Sequence, residues 1–337
     1  LARRETTDPW MLTVSFTHPH SPFVISDEFW DLYNHDDIPL PTVSPLKLDE
    51  MDHLSRNLHF CQGRHEFTVT DDHRRNAKHA YYGMISYVDS KVAALREALT
   101  KSGMAEDTII IFAADHGEMM GERGMWYKQH FFEWAAHVPL IMHCPGRWGS
   151  KRISKNCSLI DIMPTLLDLA NDRPFTDYAN SIDGHSLADA LNGDATNMPD
   201  TVISEFAADG STGPSRMVKR GNLKYMDLEG EDFLLFDLSK DPFELENLYD
   251  DPGYTASAKE LVTICEGDWN RKAMYNTIFE DQRRRLKVHQ ATKGDQTYVN
   301  IVRYNDGDRY IRNDGAADTK ARARLPYVPP AKPDLMK

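Results

Sequence analysis

The sequence is poor in cysteine, and its four cysteines lie far apart with no C-x-x-C pair among them. Disulfide frameworks and structural zinc sites depend on closely spaced cysteines, so neither is expected here. The scarcity favours a reducing compartment, and we predict a cytoplasmic rather than a periplasmic location.

Long apolar runs are also missing. No stretch approaches the roughly 20 residues that a membrane-spanning helix needs, so we expect no membrane partner. The first ten residues, LARRETTDPW, contain no hydrophobic signal region and begin with Leu1 instead of Met. We therefore expect that the chain begins inside a longer protein.

Positive charge is in short supply, because 39 basic residues face 52 acidic ones and the net charge is −13. Nucleic-acid binding needs a basic surface, so nucleic acid is not an expected partner. A small anionic substrate remains compatible, since a local site can be positive inside an acidic protein. The 337 residues, 41% hydrophobic and 27% charged, are typical of a globular protein with more than one module.

Apolar patterning predicts alternating strands and helices in the first two thirds of the chain. TIIIFAA (108–114) is apolar on both faces, which is typical of an interior parallel strand, and residues 138–143 and 200–206 resemble it. A stripe from Ala77 to Leu99 at gaps of three and four predicts a long helix, and residues 158–170 predict another. Such alternation indicates an α/β fold with a mostly parallel sheet and helices on both faces.

Two earlier segments complete this part of the chain. WMLTVSF, starting at Trp10, predicts a buried strand that ends in a loop of prolines and histidines. Residues 24–70 show no lasting period and predict a long excursion over the surface.

After residue 206 the pattern changes to short alternating runs separated by RGN and EGE, which predicts an antiparallel meander. A helix over about 256–280 and an extended tail are expected to follow. We therefore predict an α/β core over residues 1–206, a small antiparallel subdomain with a helix over 207–285, and an extended C-terminal tail over 286–337.

The candidate metal ligands follow the predicted strand 108–114. In open α/β sheets, chemistry gathers beyond the carboxyl ends of strands, and Asp115, His116 and Gly117 come directly after this one. A carboxylate oxygen and a neutral imidazole nitrogen suit Ca²⁺ or Mg²⁺, and glycine permits a tight turn. An aspartate at a strand end also serves in many proteins as a hydrogen-bonded turn residue, and two ligands do not complete a site.

Three further residues are candidates for the same site. Lys128, after GERGMWY, is either a solvated lysine or a charge aimed at an anionic oxygen. His20 is either a loop residue or a general acid for a leaving oxygen, and His18 competes for that role. Glu205 in VISEF is either paired with a cation at a strand end or the counter-charge for a cationic substrate.

The chain resembles the type I sulfatases of the alkaline-phosphatase-like superfamily, and most closely the choline sulfatases. The resemblance rests on MLTVSFTHPHSPF, YYGMISYVDSKV, FAADHGEMMGERGMWYK, VPLIMHCPGR, DIMPTLLDLA and LLFDLSKDPFELENL, within roughly residues 10–250. It implies an alkaline-phosphatase-like fold and the hydrolysis of a sulfate ester, with choline-O-sulfate as the expected substrate.

The resemblance also implies roles for individual residues. Asp115 and His116 would bind a divalent cation, Ca²⁺ or Mg²⁺ with Mn²⁺ as a further fit, while His20 and Lys128 would contact the sulfate. Glu205 would face the quaternary ammonium, with Asp318 as a weaker second contact. The C-terminal tail would reach a neighbouring subunit, so a homo-oligomer, a dimer or tetramer, is expected.

The chain departs from the family in its nucleophile. Sulfatases make a formylglycine from the cysteine of a Cys-x-Pro-x-Arg motif, and the sequence contains no such motif and no aspartate pair from the first strand. Both would lie upstream, so we expect the 337 residues alone to release no sulfate. His137 also stands where many sulfatases have arginine. The remaining alternatives are a phosphonate or phosphate monoester hydrolase of the same superfamily and a non-catalytic segment that binds a partner.

Overall fold

The computed structural model describes residues 8–171, 173–176, 180–208 and 210–293. Asp318 and most of the predicted tail therefore lie outside the described residues. Within them, the α-helices are α1 (Asp27–Trp30), α2 (His53–Cys61), α3 (Asp71–Lys101), α4 (Glu133–Ala136), α5 (Ile162–Asn171), α6 (Ala188–Asn192), α7 (Thr255–Glu266) and α8 (Arg271–Lys293). The strands are β1 (Ile110–Ala113), β2 (Leu140–His143), β3 (Thr201–Phe206), β4 (Ser215–Arg220), β5 (Leu223–Leu228) and β6 (Asp232–Asp237).

The strands form two sheets, and both are antiparallel. β1 pairs with β2, with Ile110 opposite His143, and the second sheet has the order β3-β4-β5-β6. The α/β class is confirmed, but the parallel pairing that we predicted is wrong for the described strands. An apolar run indicates burial, whereas the direction of pairing depends on a partner far along the chain. β3, which the sequence assigned to the α/β core, is an edge of the antiparallel sheet. The meander predicted after it is confirmed as β4, β5 and β6.

The long helix α3 forms for local reasons that the sequence displays. Thr70 caps its N-terminus, accepting a hydrogen bond from the backbone N–H of His73, whose side chain returns to the Thr70 N–H. Its buried face includes Ala77, Met84 and Leu99, as the periodicity predicts. Gly103, at a φ of 71°, follows the helix in the left-handed region, so the predicted end is confirmed.

Two predictions for the first 70 residues are wrong. The segment from Trp10 to Val14 forms no strand, and its apolar side chains are 38–77% exposed. Residues 24–70 are not merely a surface excursion, since they contain α1 and α2. Leu54 and Leu58 of α2 are buried in the main core, four residues apart on one helical face.

The main core joins three parts of the chain that are distant in sequence. Its members come from α2, from the segment that leads into α4 and includes it, and from the antiparallel sheet: Leu54, Leu58, Met119, Met125, Phe131, Phe132, Ala135, Met217, Met226, Leu228 and Phe236. The glycine-rich segment that carries the candidate site therefore lies between α2 and the sheet.

The second half of the chain contains the helices α5, α7 and α8, in two regions for which the sequence predicted a helix. The helix predicted over 158–170 is confirmed as a short 3-10 turn that leads into α5, with Pro164 in the first turn, where proline is tolerated. The single helix predicted over about 256–280 is instead α7 and α8, separated by residues 267–270. None of the described helices is both long and apolar enough to cross a membrane.

Candidate active site

Asp115 and His116 lie side by side directly after β1. The His116 Nδ1 donates a hydrogen bond to the Gly117 carbonyl at 2.8 Å, so the lone pair on Nε2 is free. That Nε2 lies 3.6 Å from Asp115 Oδ2, and the Asp115 side chain is 88% exposed. One carboxylate oxygen and one imidazole nitrogen are thus neighbours, and donors of these two types would fit part of a divalent-cation site. No third His, Cys, Asp or Glu completes such a group within the part of the chain that the structure describes.

Gly117 fixes the backbone of this pair against α4. Its N–H donates to the Ala135 carbonyl, and the Glu118 N–H donates to the Trp134 carbonyl, each at 2.8 Å. A Cβ on residue 117 would overlap the Trp134 carbonyl oxygen, so only glycine permits this approach. The backbone beside Asp115 and His116 is consequently held by main-chain contacts with α4 as well as by the strand.

The segment from Glu118 to Lys128 folds back on itself. The Met119 N–H donates to the Tyr127 carbonyl at 2.8 Å, which closes the segment. The Glu118 carboxylate accepts the Tyr127 N–H at 2.5 Å inside the loop, and burial raises the pKa of this carboxyl group. The fold-back explains how Lys128 returns to the neighbourhood of His116.

Lys128 and His20, which are 108 positions apart, meet at this point. The His20 Nδ1 donates to the Ser21 carbonyl at 2.5 Å, so Nε2 is the acceptor for the Lys128 ammonium at 3.0 Å. The rings of His20 and His116 lie edge to face with their centroids 6.5 Å apart. His20, Asp115, His116 and Lys128 therefore form one group, called here the polar cluster.

His18, the competing histidine, has a different environment. Its ring lies against Tyr87, with centroids 5.0 Å apart, and not against Lys128. The sequence left His18 and His20 open as alternatives, and the geometry favours His20 because that residue contacts the polar cluster directly.

Glu205 lines the same cavity as Asp115, His116 and Lys128, which has a volume of about 1940 Å³. Its carboxylate also pairs across β3 and β4 with Arg216, at 3.2 Å between Oε1 and Nε. Arg216 in turn binds Asp268 at 3.1 Å, so one cation serves two carboxylates and the group retains a net negative charge. Both readings of Glu205 thus have structural counterparts, an ion pair and a carboxylate at the cavity.

Sequence reasoning missed a buried ion network beside the site. Glu133 binds Lys219 at 3.0 Å and Lys224 at 2.8 Å, and Lys224 binds Glu244 at 2.8 Å, with the Lys224 and Glu244 side chains 0% exposed. Burial alone would raise the pKa of Glu133, but the two lysines lower it. The only signal in the sequence is a lysine inside the apolar strand LKYMDL. The network fastens α4 to the antiparallel sheet.

Comparisons with known proteins agree with this arrangement. Residues 1–172 match the family model "Sulfatase", and residues 121–268 match "N-sulphoglucosamine sulphohydrolase, C-terminal". The chain is 37% identical over 325 residues to a choline-sulfatase of Rhizobium meliloti, which covers 94% of this chain and 62% of that protein. It is 30% identical over 266 residues to the human arylsulfatase K, covering 72% of this chain and 48% of that protein.

Solved structures show the same fold. A phosphonate monoester hydrolase of Agrobacterium radiobacter superposes with a TM-score of 0.66 at 28% identity, covering 77% of this chain and 56% of that one. A putative sulfatase of Bacteroides thetaiotaomicron gives a TM-score of 0.57 at 25% identity, covering 75% and 54%. The chain thus spans about half to three fifths of the length of these relatives. With a sulfatase family model matching half of its residues and a choline-sulfatase aligned along nearly all of it, the chain belongs to the type I sulfatases of the alkaline-phosphatase-like superfamily.

Proposed function

We propose that the complete protein hydrolyses a sulfate monoester, and that its substrate is choline-O-sulfate. The observation that carries the proposal is the polar cluster, in which two cation ligands, one ammonium and one imidazole converge from three separate segments. This set suits a reaction whose transition state spreads negative charge over several oxygens, because catalysis then depends on positioned positive charge.

The residues of this chain have distinct tasks in the proposed reaction. Lys128 donates from its ammonium to a sulfate oxygen and stabilises the developing charge. In the substrate complex, where Lys128 turns to the sulfate, His20 would be protonated at Nε2 and would pass that proton to the leaving alcohol oxygen as the ester bond breaks. Asp115 and His116 hold a divalent cation, Ca²⁺ or Mg²⁺, which when bound polarises a sulfate oxygen as a Lewis acid. The formylglycine nucleophile and the remaining ligands come from a part of the protein outside these 337 residues.

Choline recognition is assigned to Glu205. A quaternary ammonium cannot donate a hydrogen bond, so it is recognised by negative charge and by aromatic faces. Arg216 leaves a net negative charge on its two carboxylate partners, and the Glu205 side chain is 43% exposed beside the cavity. The resemblance to a choline-sulfatase over 94% of the chain supports the same substrate.

A phosphonate monoester hydrolase is the second candidate, because an enzyme of that description is a close structural match. Phosphonate monoesters and sulfate monoesters both carry a single negative charge, so the polar cluster alone does not separate them. The carboxylate of Glu205 beside the cavity supports a cationic alcohol, and for this reason we propose choline sulfate first.

A substrate comparison tests the proposal. The complete enzyme is assayed with choline sulfate, an aryl sulfate, an aryl phosphonate monoester and an aryl phosphate under the same metal conditions. We expect the highest kcat/KM for choline sulfate, by about tenfold or more over the other esters. A higher kcat/KM for the phosphonate ester would replace the proposal with the second candidate, and no turnover of any ester would reject both.

A further inference from the structure

Both ends of helix α2 contact the segment that carries Lys128. At the N-terminus, Asp52 caps the helix by accepting the Ser55 N–H at 2.9 Å, and its Oδ1 lies 3.3 Å from His130 Nε2. At the C-terminus, Gln62 donates to the Gln129 side-chain oxygen at 3.0 Å. His130 and Gln129 are the two residues that directly follow Lys128.

The His130 ring is fixed in both place and orientation. It is 6% exposed and stacks on Phe132, with centroids 4.2 Å apart and planes 2° apart. Its Nδ1 accepts the Phe131 N–H at 2.9 Å, so the ring proton on Nε2 is directed to Asp52 and to the Ser55 hydroxyl at 3.1 Å. The His130 N–H donates to the Lys128 carbonyl, which ties the ring to the lysine through one peptide turn.

Asp52, Ser55 and His130 have the composition of a nucleophilic triad but not its geometry. In such a triad the serine and the aspartate contact opposite nitrogens of the imidazole. Here both contact Nε2, while Nδ1 is occupied by a backbone N–H. The side chains of all three are also buried, so the group holds structure and offers no nucleophile to a substrate.

Arg64, just beyond α2, holds the other side of the same loop. It donates to the Gly124 carbonyl at 3.1 Å and to the Trp126 carbonyl at 3.3 Å. Its Nε also donates to the Gln62 side-chain oxygen at 2.9 Å. Gln62 is the residue at the C-terminus of α2 that contacts Gln129. Lys128 is thus bracketed by contacts on the residues before it and after it.

We propose that Asp52 and Arg64 are positioning residues for Lys128, and that α2 sets where its ammonium stands in the polar cluster. The inference rests on the proposed function, since Lys128 is taken to bind the anionic group of the substrate. A preorganised charge needs no rearrangement during the reaction, and a displacement of about 1 Å can cost up to about 100-fold in rate.

The first test compares two variants of the complete enzyme, each of which loses the cap of one helix. Asp52→Ala removes the cap of α2 and its contact with His130, whereas Thr70→Ala removes the equivalent cap of α3, where the Thr70 hydroxyl accepts from the His73 N–H. We expect kcat/KM for an aryl sulfate to fall about tenfold further in Asp52→Ala, mainly through kcat. Asp52→Asn, whose amide oxygen still accepts from Ser55 and His130, should restore it to within about threefold.

The second test does not require activity. The rate at which an amine-acylating reagent labels Lys128, measured by peptide mass spectrometry, should rise several-fold in Asp52→Ala and stay unchanged in Thr70→Ala. If the complete protein hydrolyses no ester, the proposed function fails, but the labelling still reports on the lysine.

The labelling also decides the outcome when a variant is unstable. If Asp52→Ala does not fold, Arg64→Met is the substitute, because it keeps the packing of the side chain and loses its hydrogen bonds. Faster labelling in the folded variant supports the proposal. Equal labelling in the variant and the wild type overturns it, as does an Asp52→Ala enzyme whose kcat matches that of Thr70→Ala.

Discussion

The two sheets of the molecule differ in burial and in what they carry. β1 and β2 are only partly buried, and Ile141 is 57% exposed, whereas Val218, Met226 and Leu235 in β4, β5 and β6 are each 0% exposed. The polar cluster lies at the end of the exposed sheet, yet its loop packs into the core of the buried one. One sheet thus leads into the polar cluster, while the loop that carries Lys128 packs against the other.

If this division is right, changes in the buried sheet should reduce stability and changes in the polar cluster should reduce rate. Two sets of contacts link the polar cluster to the buried sheet and its core. They are the ion network around Glu133 and the contacts of α2 with the segment that carries Lys128.

The largest effect is expected for Lys224→Met. The change leaves Glu244 buried without its cation and removes one of the two lysines on Glu133. The free energy of unfolding should fall by about 3–5 kcal/mol, because an unpaired buried charge is costly. Denaturant unfolding measures it, with Lys240→Met as the control, since the Lys240 side chain is 72% exposed and its ion pair should contribute little to stability. A Lys224→Met variant as stable as the control would contradict the role of the network.

Lys128→Ala should have the opposite signature, with a large kinetic effect and little change in stability. Loss of the ammonium should lower kcat/KM for sulfate esters by about 100-fold, equivalent to about 2.7 kcal/mol of transition-state stabilisation. The matched control is Lys101→Ala, whose side chain is 74% exposed at the end of α3 and pairs with Glu97. An unchanged rate in a folded Lys128→Ala enzyme would remove this residue from the mechanism.

The contribution of Asp52 to the free energy of unfolding should depend on pH. Burial alone would raise its pKa, but His130 and Ser55 lower it from 3.8 to about 2. A carboxyl group whose pKa is lowered on folding stabilises the protein above its unfolded pKa, and this contribution is lost as the pH falls through the folded value. About 2 kcal/mol should therefore disappear between about pH 4 and pH 2. The difference in unfolding free energy between wild type and Asp52→Asn should shrink over that range. A difference that stays constant with pH would show that the carboxylate is not held as described.

The smallest effect is expected for Glu205→Gln, on the exposed edge of the buried sheet. KM for choline sulfate should rise by roughly fivefold, since one negative charge near the ammonium is lost. KM for an aryl sulfate without a cation should change little. Equal losses on both substrates would indicate that the pair with Arg216 is purely structural.

The features that the sequence predicted well are those with local causes. The cap at Thr70 and the apolar stripe of α3 lie within one helix, and Asp115, His116 and Gly117 follow their strand directly. The link between Lys128 and His20 came from the resemblance to a known family, because nothing in the spacing of these residues brings them together.

The features that it missed depend on distant partners. The direction in which β1 pairs is set by β2, and Arg216 reaches Glu205 only through the register of β3 and β4. Helix α2 shows just Leu54 and Leu58 as a buried apolar pair, which is too little periodicity to detect. Lys224 and Glu133 are 91 positions apart, so their pairing could not be read from the sequence.

The central claim, that Asp115 and His116 hold the cation of a sulfatase active site, is tested most directly by the metal dependence of sulfate release. The complete enzyme and its Asp115→Asn variant are stripped with a chelator, and hydrolysis of choline sulfate is followed as Ca²⁺ or Mg²⁺ is restored. We expect the wild type to lose its activity in chelator and to regain it with metal, and Asp115→Asn to need at least about tenfold more metal for half-recovery. Full activity of the wild type in chelator, or the same metal requirement in both proteins, would contradict it.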